Sequence, residues 1–286
     1  MTTRHSHIDR RALFTSAAAM ALLAASGVSA AGAPQRGGRM RMALSGGKRG
    51  DSWMAGDGLF MQVARQGMVF DTLTERAADG VLRGELVTGW SSSDGGRVWQ
   101  FDLRAGVFFH DGQPFTAKDA VASLAALRGA RVEAVDPLTL RVTLDQPSAS
   151  LPLLLAEPEY IIRPAHAFED GIGTGLYRVK RFIPGRQLLT VRVEAHYKDG
   201  TAGWFDEVEL TSIPSEQVRG EALGGYLVDA VDTRDVDGVR ALPDVMLSPD
   251  ARDMMQAVST SVAQPARVSA LRPLDDLRAA ERWWFV

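Results

Sequence analysis

Alternating apolar and polar residues predict a strand near the middle of the chain. Trp99, Phe101 and Leu103 alternate with polar neighbours, which is the period of a strand with one buried face. Ala105-Gly106 then predicts a tight turn, and Val107 to His110 the returning strand of a hairpin. This segment is therefore expected to contribute one half-buried hairpin to a sheet.

The same period recurs on both sides of this segment, and helical spacing occurs between the strands. Further strands are predicted at residues 39–44, 140–144, 177–182 and 189–193. Apolar residues spaced by three and four from Phe60 to Met68 predict an amphipathic helix. Thr116 and Asp119 predict the capped start of a second helix, with Val121 and Leu124 on its buried face. The pattern as a whole predicts a mixed α/β fold.

Composition narrows the range of partners and chemistry. The 286 residues carry 32 basic and 35 acidic side chains, a formal charge of -3, so no strong field favours nucleic acid or an anionic membrane surface. The chain has no cysteine, which excludes disulfides, thiolate metal sites and cysteine nucleophiles. A core of apolar side chains must therefore stabilise the fold.

The N-terminal residues predict an exported protein. Arg10-Arg11 precedes the apolar run from Ala12 to Val28, and Val28-Ser29-Ala30 places small residues where a signal peptidase cleaves. We assign residues 1–30 to a signal peptide and the Gly/Ala/Pro-rich residues 31–38 to a flexible leader. Asp9 before the arginine pair departs from a twin-arginine signal, so the general secretory route stays open. The apolar run is too short for a membrane span, and the chain is not expected to be membrane-embedded.

Two glycine-rich loops are candidates for phosphate binding, and neither has the required spacing. Residues 45–50 lack the pattern of a P-loop, which favours a simple connection. Gly171, Gly173 and Gly175 lack the sixth-position glycine of a dinucleotide fingerprint, where Leu176 stands, and a strand rather than a helix follows. These glycines are better explained as a turn in which the backbone approaches another segment or a ligand closely.

A resemblance to a known family rests on the order of several short motifs. Trp90, Ser93-Asp94-Gly95 and the run FDLRAGVFFHDGQPFTAKDAV resemble the signature of extracytoplasmic solute-binding proteins of the peptide/nickel class, family 5, which serve ABC importers. Phe70-Asp71-Thr72-Leu73 and Gly173-Thr174-Gly175-Leu176-Tyr177 resemble further elements of the family, with Leu176 in place of the usual proline. His110 and Asp111 belong to the signature, and we interpret them as structural because the turn itself favours Asp-Gly.

The resemblance implies a class II periplasmic-binding-protein-like lobe whose second lobe is largely absent. Residues 39–232 match the first lobe, whereas residues 233–286 are a remnant whose last part resembles the family's own C-terminal end. The join is expected within residues 233–260. The implied location is the periplasm, and the implied partners are a small-molecule or peptide ligand and an ABC transporter permease.

The implied function is capture of a small solute such as an oligopeptide, without catalysis or cofactor. Candidate ligand-binding residues are Trp53 and Asp57 in the first loop and Thr174 and Tyr177 near the glycine turn. A structural role is the alternative for each of them, and for Trp53 this is a tryptophan of the core or of a lid. The alternative is a truncated relic or protein-interaction module that no longer captures solute. Hydrolysis lacks a supporting motif, and His110, His166 and His196 have no metal-ligand spacing.

Overall fold

The computed structural model describes residues 36–66, 68–76, 81–234, 236–242, 245–249 and 255–259. The predicted signal peptide and the C-terminal end lie outside these residues. The strands, in chain order, are β1 (Arg39–Leu44), β2 (Thr74–Arg76), β3 (Leu82–Gly84), β4 (Val87–Ser93), β5 (Val98–Leu103), β6 (Ala130–Asp136), β7 (Thr139–Leu144), β8 (Tyr177–Ile183), β9 (Gln187–Arg192), β10 (Glu207–Ser212), β11 (Ala230–Thr233), β12 (Val245–Pro249) and β13 (Met255–Ser259). The α-helices are α1 (Leu59–Arg65), α2 (Ala117–Ser123), α3 (Leu151–Leu154), α4 (Glu216–Gly224) and α5 (Val236–Arg240). Within the described residues, no helix is long and apolar enough to cross a membrane.

A seven-stranded mixed sheet forms the larger part of the fold. Its order is β12-β13-β11-β1-β10-β9-β8, and β1 runs parallel to both of its neighbours, β10 and β11. The alternation predicted for β1 is confirmed, since Met40, Met42 and Leu44 are all fully buried. They pack in one core with the apolar side chains of α1, so the sheet and its first helix share a single apolar interior.

A four-stranded antiparallel sheet, β4-β5-β7-β6, holds a second core. Trp99, Phe101 and Leu103 face this core as predicted. The predicted hairpin is wrong, because β5 pairs with β4 on one edge and β7 on the other, which leaves no edge for Val107 to His110. Those residues instead form a narrow loop in which the Phe109 amide donates to the Gln113 carbonyl at 2.8 Å.

The helix boundaries follow local hydrogen bonds. The predicted start of α2 is confirmed: the Asp119 carboxylate accepts from the backbone N–H and the hydroxyl of Thr116, each at 2.9 Å. The helix predicted to reach Met68 ends earlier, at Arg65. Gln66 has an extended backbone, and its side-chain amide donates to the Ala156 carbonyl at 3.0 Å, which anchors the end of α1.

The glycine turn before β8 brings two segments into close backbone contact, as predicted. A Cβ atom on Gly173 would lie 1.8 Å from the Val69 carbonyl oxygen, and one on Gly175 would lie 2.3 Å from that of Met68. No side chain fits at either position. The approach permits the Gly175 amide to donate to the Val69 carbonyl at 3.0 Å, so this turn joins the segment after α1 to β8.

Candidate ligand-binding cleft

The loop after β1 lies where the parallel strands end. In open α/β sheets, ligands bind beyond the carboxyl ends of the strands, so residues 45–58 are in the position expected of a binding loop. Asp232 at the end of β11 accepts from the Ser45 amide at 2.8 Å and from its hydroxyl at 2.7 Å. At the other end of the loop, a Cβ on Gly58 would lie 1.9 Å from the Gly46 carbonyl. Both ends of the loop are therefore held close together.

The loop forms one wall of a cleft of about 440 Å³. That volume lies within the range of small-molecule sites. The cleft is open to solvent and mixes apolar with charged groups. Its lining includes Met54, Asp57, Arg65, Glu157, Pro158 and Glu159. The last three come from the segment at the single-turn helix Pro158–Tyr160, so α1, the loop and this turn together shape the cleft.

Two of the four predicted ligand-binding residues belong to this loop. Asp57 lines the cleft and accepts from the Lys48 ammonium at 2.6 Å, and that hydrogen bond lowers the pKa of its carboxyl. Trp53 is buried behind the loop, with its ring centroid 4.6 Å from that of Phe182 and 6.0 Å from that of Phe70. Asp57 thus faces solvent, whereas Trp53 anchors the loop to the core.

The other two predicted residues lie in the interior. Thr174 donates its hydroxyl to Asp71 at 2.9 Å, and the fully buried Tyr177 donates to the Phe205 carbonyl at 3.2 Å. Thr174 also borders a second cavity, of about 530 Å³, together with His110 and His196. The described residues therefore place Thr174 and Tyr177 outside the lining of the first cleft, and a ligand role for them stays a prediction.

His110 connects the signature loop to the glycine turn. Its Nε2 lies 2.8 Å from the Gly175 carbonyl, and its Nδ1 accepts from the Gly173 amide at 3.3 Å. Burial lowers the pKa of His110 to about 4, so the ring is neutral at pH 7. Asp111 pairs instead with His166 at 2.6 Å. In the part of the chain that the structure describes, no three acidic or histidine side chains are grouped to hold a metal ion.

A buried charged group, here called the Lys198 cluster, lies near the glycine turn and consists of Asp71, Glu75, Glu85 and Lys198. The Lys198 ammonium is 3.5 Å from Asp71 and 3.4 Å from Glu75, and it also donates to Glu85. All four residues are more than nine-tenths buried. Burial alone would raise the pKa of Asp71, but the Lys198 ammonium, the His196 ring and the Thr174 hydroxyl lower it below its usual range.

Two arginines that contact carbonyls of the loop after β1, here called the arginine pair, were not predicted from the sequence. Arg65 ends α1 and lines the cleft, and its Nη1 lies 3.3 Å from the Gly56 carbonyl. Arg163 is only 7% exposed, and its Nη2 lies 3.4 Å from the Trp53 carbonyl. Nothing in either local sequence distinguishes these residues from surface arginines, because their burial depends on contacts between distant segments.

The fold is a mixed α/β fold with a solvent-open cleft beside the loop after β1, and comparison with known proteins gives its family. Residues 81–245 match the model of the bacterial extracellular solute-binding proteins, family 5, middle region. The chain belongs to this family. That match covers more than half of the chain and includes the four-stranded sheet, the glycine turn and the strands up to β11.

Individual relatives match part of their own length. The chain is 29% identical over 186 residues to the probable D,D-dipeptide-binding periplasmic protein DdpA of Escherichia coli K12, covering 56% of this chain and 36% of that protein. It is also 29% identical over 166 residues to the HTH-type transcriptional regulator SgrR of Salmonella typhi, covering 53% of this chain and 29% of that protein. The chain thus spans about a third of the length of these curated relatives.

Solved structures confirm the fold. The PBP AgaA of A. tumefaciens R10, in complex with agropinic acid, superposes with a TM-score of 0.68 at 24% identity, covering 74% of this chain and 48% of that one. DppA of Helicobacter pylori, in complex with the peptide STSA, gives a TM-score of 0.66 at 21% identity, covering 76% and 51%. The α/β fold expected from the sequence is that of periplasmic binding proteins, and the chain corresponds to about half of such a structure.

Proposed function

We propose that this protein captures a small solute such as an oligopeptide outside the cytoplasm and passes it to an ABC transporter permease, without catalysing a reaction. The observation that carries the proposal is the cleft bordered by the β1 loop, at the carboxyl ends of the parallel strands of a family 5 fold. Family membership and the peptide-related names of relatives such as DdpA support it. The proposed site includes Asp57 in the lining and Trp53 as the anchor of the loop.

Export is the second part of the proposal. The twin-arginine-like segment at residues 1–30 supports removal of a signal peptide and a periplasmic location, by either export route. The family's extracellular character supports the same location. A fusion of residues 1–38 to a reporter that is active only after export, compared with the same fusion carrying Arg10→Lys and Arg11→Lys, tests the route. Loss of export with the lysines supports the twin-arginine pathway.

The third part concerns the division of the chain into lobes. We propose that residues 39–232 form the first lobe and that residues 233–286 join it to the family's C-terminal end. β13 pairs antiparallel with β11 and extends the same sheet, which favours a join at the end of the predicted range, after Ser259.

Thermal unfolding of the purified chain with a panel of solutes tests the binding function. Short peptides, opines, sugars and nickel are added separately, because a ligand that binds only the folded state raises the melting temperature in a saturable way. A saturable rise with one class supports solute capture. No response to any class, with self-association in solution, would instead support the alternative of an interaction module or relic.

A further inference from the structure

The described part of the chain buries its sulfur atoms at every position but one. The chain has no cysteine, so its 10 methionines carry all of the sulfur that an oxidant could reach. Of the methionines whose side chains the structure describes, Met40, Met42, Met61 and Met68 are fully buried. Met54 is the exception, with 41% of its surface exposed. Among these described methionines, Met54 alone presents a thioether to solvent.

A tight turn in the loop after β1 fixes this exposure. The Ser52 amide donates to the Ala55 carbonyl at 2.9 Å, and the Ser52 hydroxyl accepts from the Ala55 amide at 3.0 Å. Within the turn, Trp53 packs tightly in the core, and a Cβ on Gly171 would lie 2.6 Å from its ring. Met54 lines the first cleft instead. Because Trp53 fills the space behind the loop, Met54 can leave the cleft only if the turn opens.

An exposed thioether reacts with peroxides by transfer of one oxygen atom. The sulfur lone pair of Met54 attacks the terminal oxygen of hydrogen peroxide or of an organic hydroperoxide, and an S–O bond forms as the O–O bond breaks. The proton of the attacked oxygen passes to the departing oxygen, which leaves as water or as an alcohol. The sulfur is oxidised by two electrons and the peroxide is reduced by two. The product, methionine sulfoxide, is polar, and sulfoxide reductases convert it back to the thioether.

Oxidation at this position would change the surface that a solute covers. A solute in the first cleft covers the apolar side chain of Met54, which together with Pro158 forms apolar lining among the charged groups. After oxidation the same solute would displace water from a strongly polar S–O group. Removing a polar group from water without a new hydrogen bond is unfavourable. The sulfoxide is therefore expected to oppose binding in this cleft.

We propose that Met54 is a redox-modification site of the first cleft, at which a peroxide converts the thioether to the sulfoxide and thereby weakens solute binding. The modification itself is inferred from the exposure and position of Met54. The effect on binding rests in addition on the proposed function. Reduction of the sulfoxide restores the apolar side chain, so the loss of affinity is reversible.

Peptide mass spectrometry of the folded chain tests the modification. The chain is treated with dilute hydrogen peroxide at pH 7, the reaction is stopped with catalase, and the gain of one oxygen is followed at each methionine. Met61 is the matched comparison, because it lies in α1 against the same loop and is fully buried. We expect Met54 to react at least about 10-fold faster, since a buried sulfur reacts only after local opening. In urea the two rates should converge. Equal rates in the folded chain would overturn the proposal.

Calorimetric titration with dialanine, before and after the peroxide treatment, tests the effect on binding. Oxidation should weaken binding at least about fivefold, and a sulfoxide reductase should restore it. Met54→Leu should bind equally before and after treatment, which separates Met54 from every other methionine. Met61→Leu, a swap of similar volume, should keep the sensitivity to peroxide. If only another class of the solute panel binds, the same comparison is made with that solute.

The modification and its effect fail in different ways. Should the untreated chain bind no solute of the panel, solute capture and the effect on binding would both be rejected, whereas selective oxidation of Met54 would stand on the mass spectra. Should the chain bind a solute equally well after complete oxidation of Met54, solute capture would stand and the regulatory effect would be rejected.

Discussion

The Lys198 cluster and the arginine pair are both buried groups of charge, and they differ in how their charges are satisfied. Around Lys198, three carboxylates share one ammonium and also accept bonds from Thr72, Thr174 and Arg83. At Arg65 and Arg163, the partners are two loop carbonyls, the Phe168 ring below the Arg163 guanidinium and the nearby charge of Glu159. The first arrangement is complete within the chain and serves stability. The second has no carboxylate within 4.0 Å of either guanidinium among the described residues.

Removing the ammonium of Lys198 should produce the largest loss of stability. Lys198→Met leaves Asp71, Glu75 and Glu85 buried without their common partner, and breaking a buried pair in this way costs about 3–5 kcal/mol. Urea unfolding at pH 7 measures the effect. A loss below about 1 kcal/mol would show that the cluster is not the stabilising group that its geometry indicates.

The pH dependence of the cluster has a definite sign. The pKa of Asp71 is lower in the folded state than in the unfolded state, so its contribution is complete above the unfolded pKa and is lost as the pH falls toward the folded value. The acid part of the stability curve should therefore be steeper for the unchanged chain than for Lys198→Met.

The glycine turn allows Thr174 to reach Asp71, so substitution there should disturb the same cluster. Gly173→Ala places a methyl group 1.8 Å from the Val69 carbonyl oxygen and should cost about 2–3 kcal/mol through overpacking. Gly220 in α4 offers a matched control, because a Cβ there meets no atom within 4 Å. Gly220→Ala should stabilise the helix by about 0.5–1 kcal/mol in the same unfolding assay. Similar effects at the two positions would contradict the close approach.

His110 is an intermediate case, since the fold keeps it neutral instead of pairing its charge. Its pKa is about 4 in the folded state and about 6.5 in the unfolded chain, so the unfolded state binds more protons between these values. Stability should therefore fall by about 1–2 kcal/mol more between pH 7 and pH 5 in the unchanged chain than in His110→Gln. Parallel curves for the two proteins would show that folding does not lower the pKa of His110.

Local patterns in the sequence predicted much of the scaffold. Alternation located β1, β5 and β7, the Thr116 and Asp119 pair located the start of α2, and the spacing of Gly173 and Gly175 indicated a close approach. Each of these signals depends either on residues that are close in the sequence or on the small size of a single residue. The same reasoning failed for Val107 to His110. The edge of β5 that these residues were predicted to pair with is occupied by β7, which lies far along the chain.

The buried polar residues could not be predicted in the same way. In β9 the inward row is Leu188, Thr190 and Arg192, and two of these side chains are buried only because they bond to the Val208 and Gly203 carbonyls. The arginine pair likewise forms from residues on separate segments. Its charges resemble those of surface residues until the fold is known, so the sequence pointed to Trp53 and Asp57 in the same loop but not to Arg65 or Arg163.

The smallest expected change in stability belongs to the arginine pair, and it provides the most direct test. Thermal unfolding of Arg65→Gln is measured with and without saturating dialanine and compared with the unchanged chain. Without peptide, the variant should be within about 0.5 kcal/mol of the unchanged chain, because Arg65 loses only a long hydrogen bond to the Gly56 carbonyl and a partly screened attraction to Glu159. With peptide, its melting temperature should rise less than that of the unchanged chain. A variant that is markedly destabilised but shows the full rise with dialanine would contradict the ligand-binding role of Arg65.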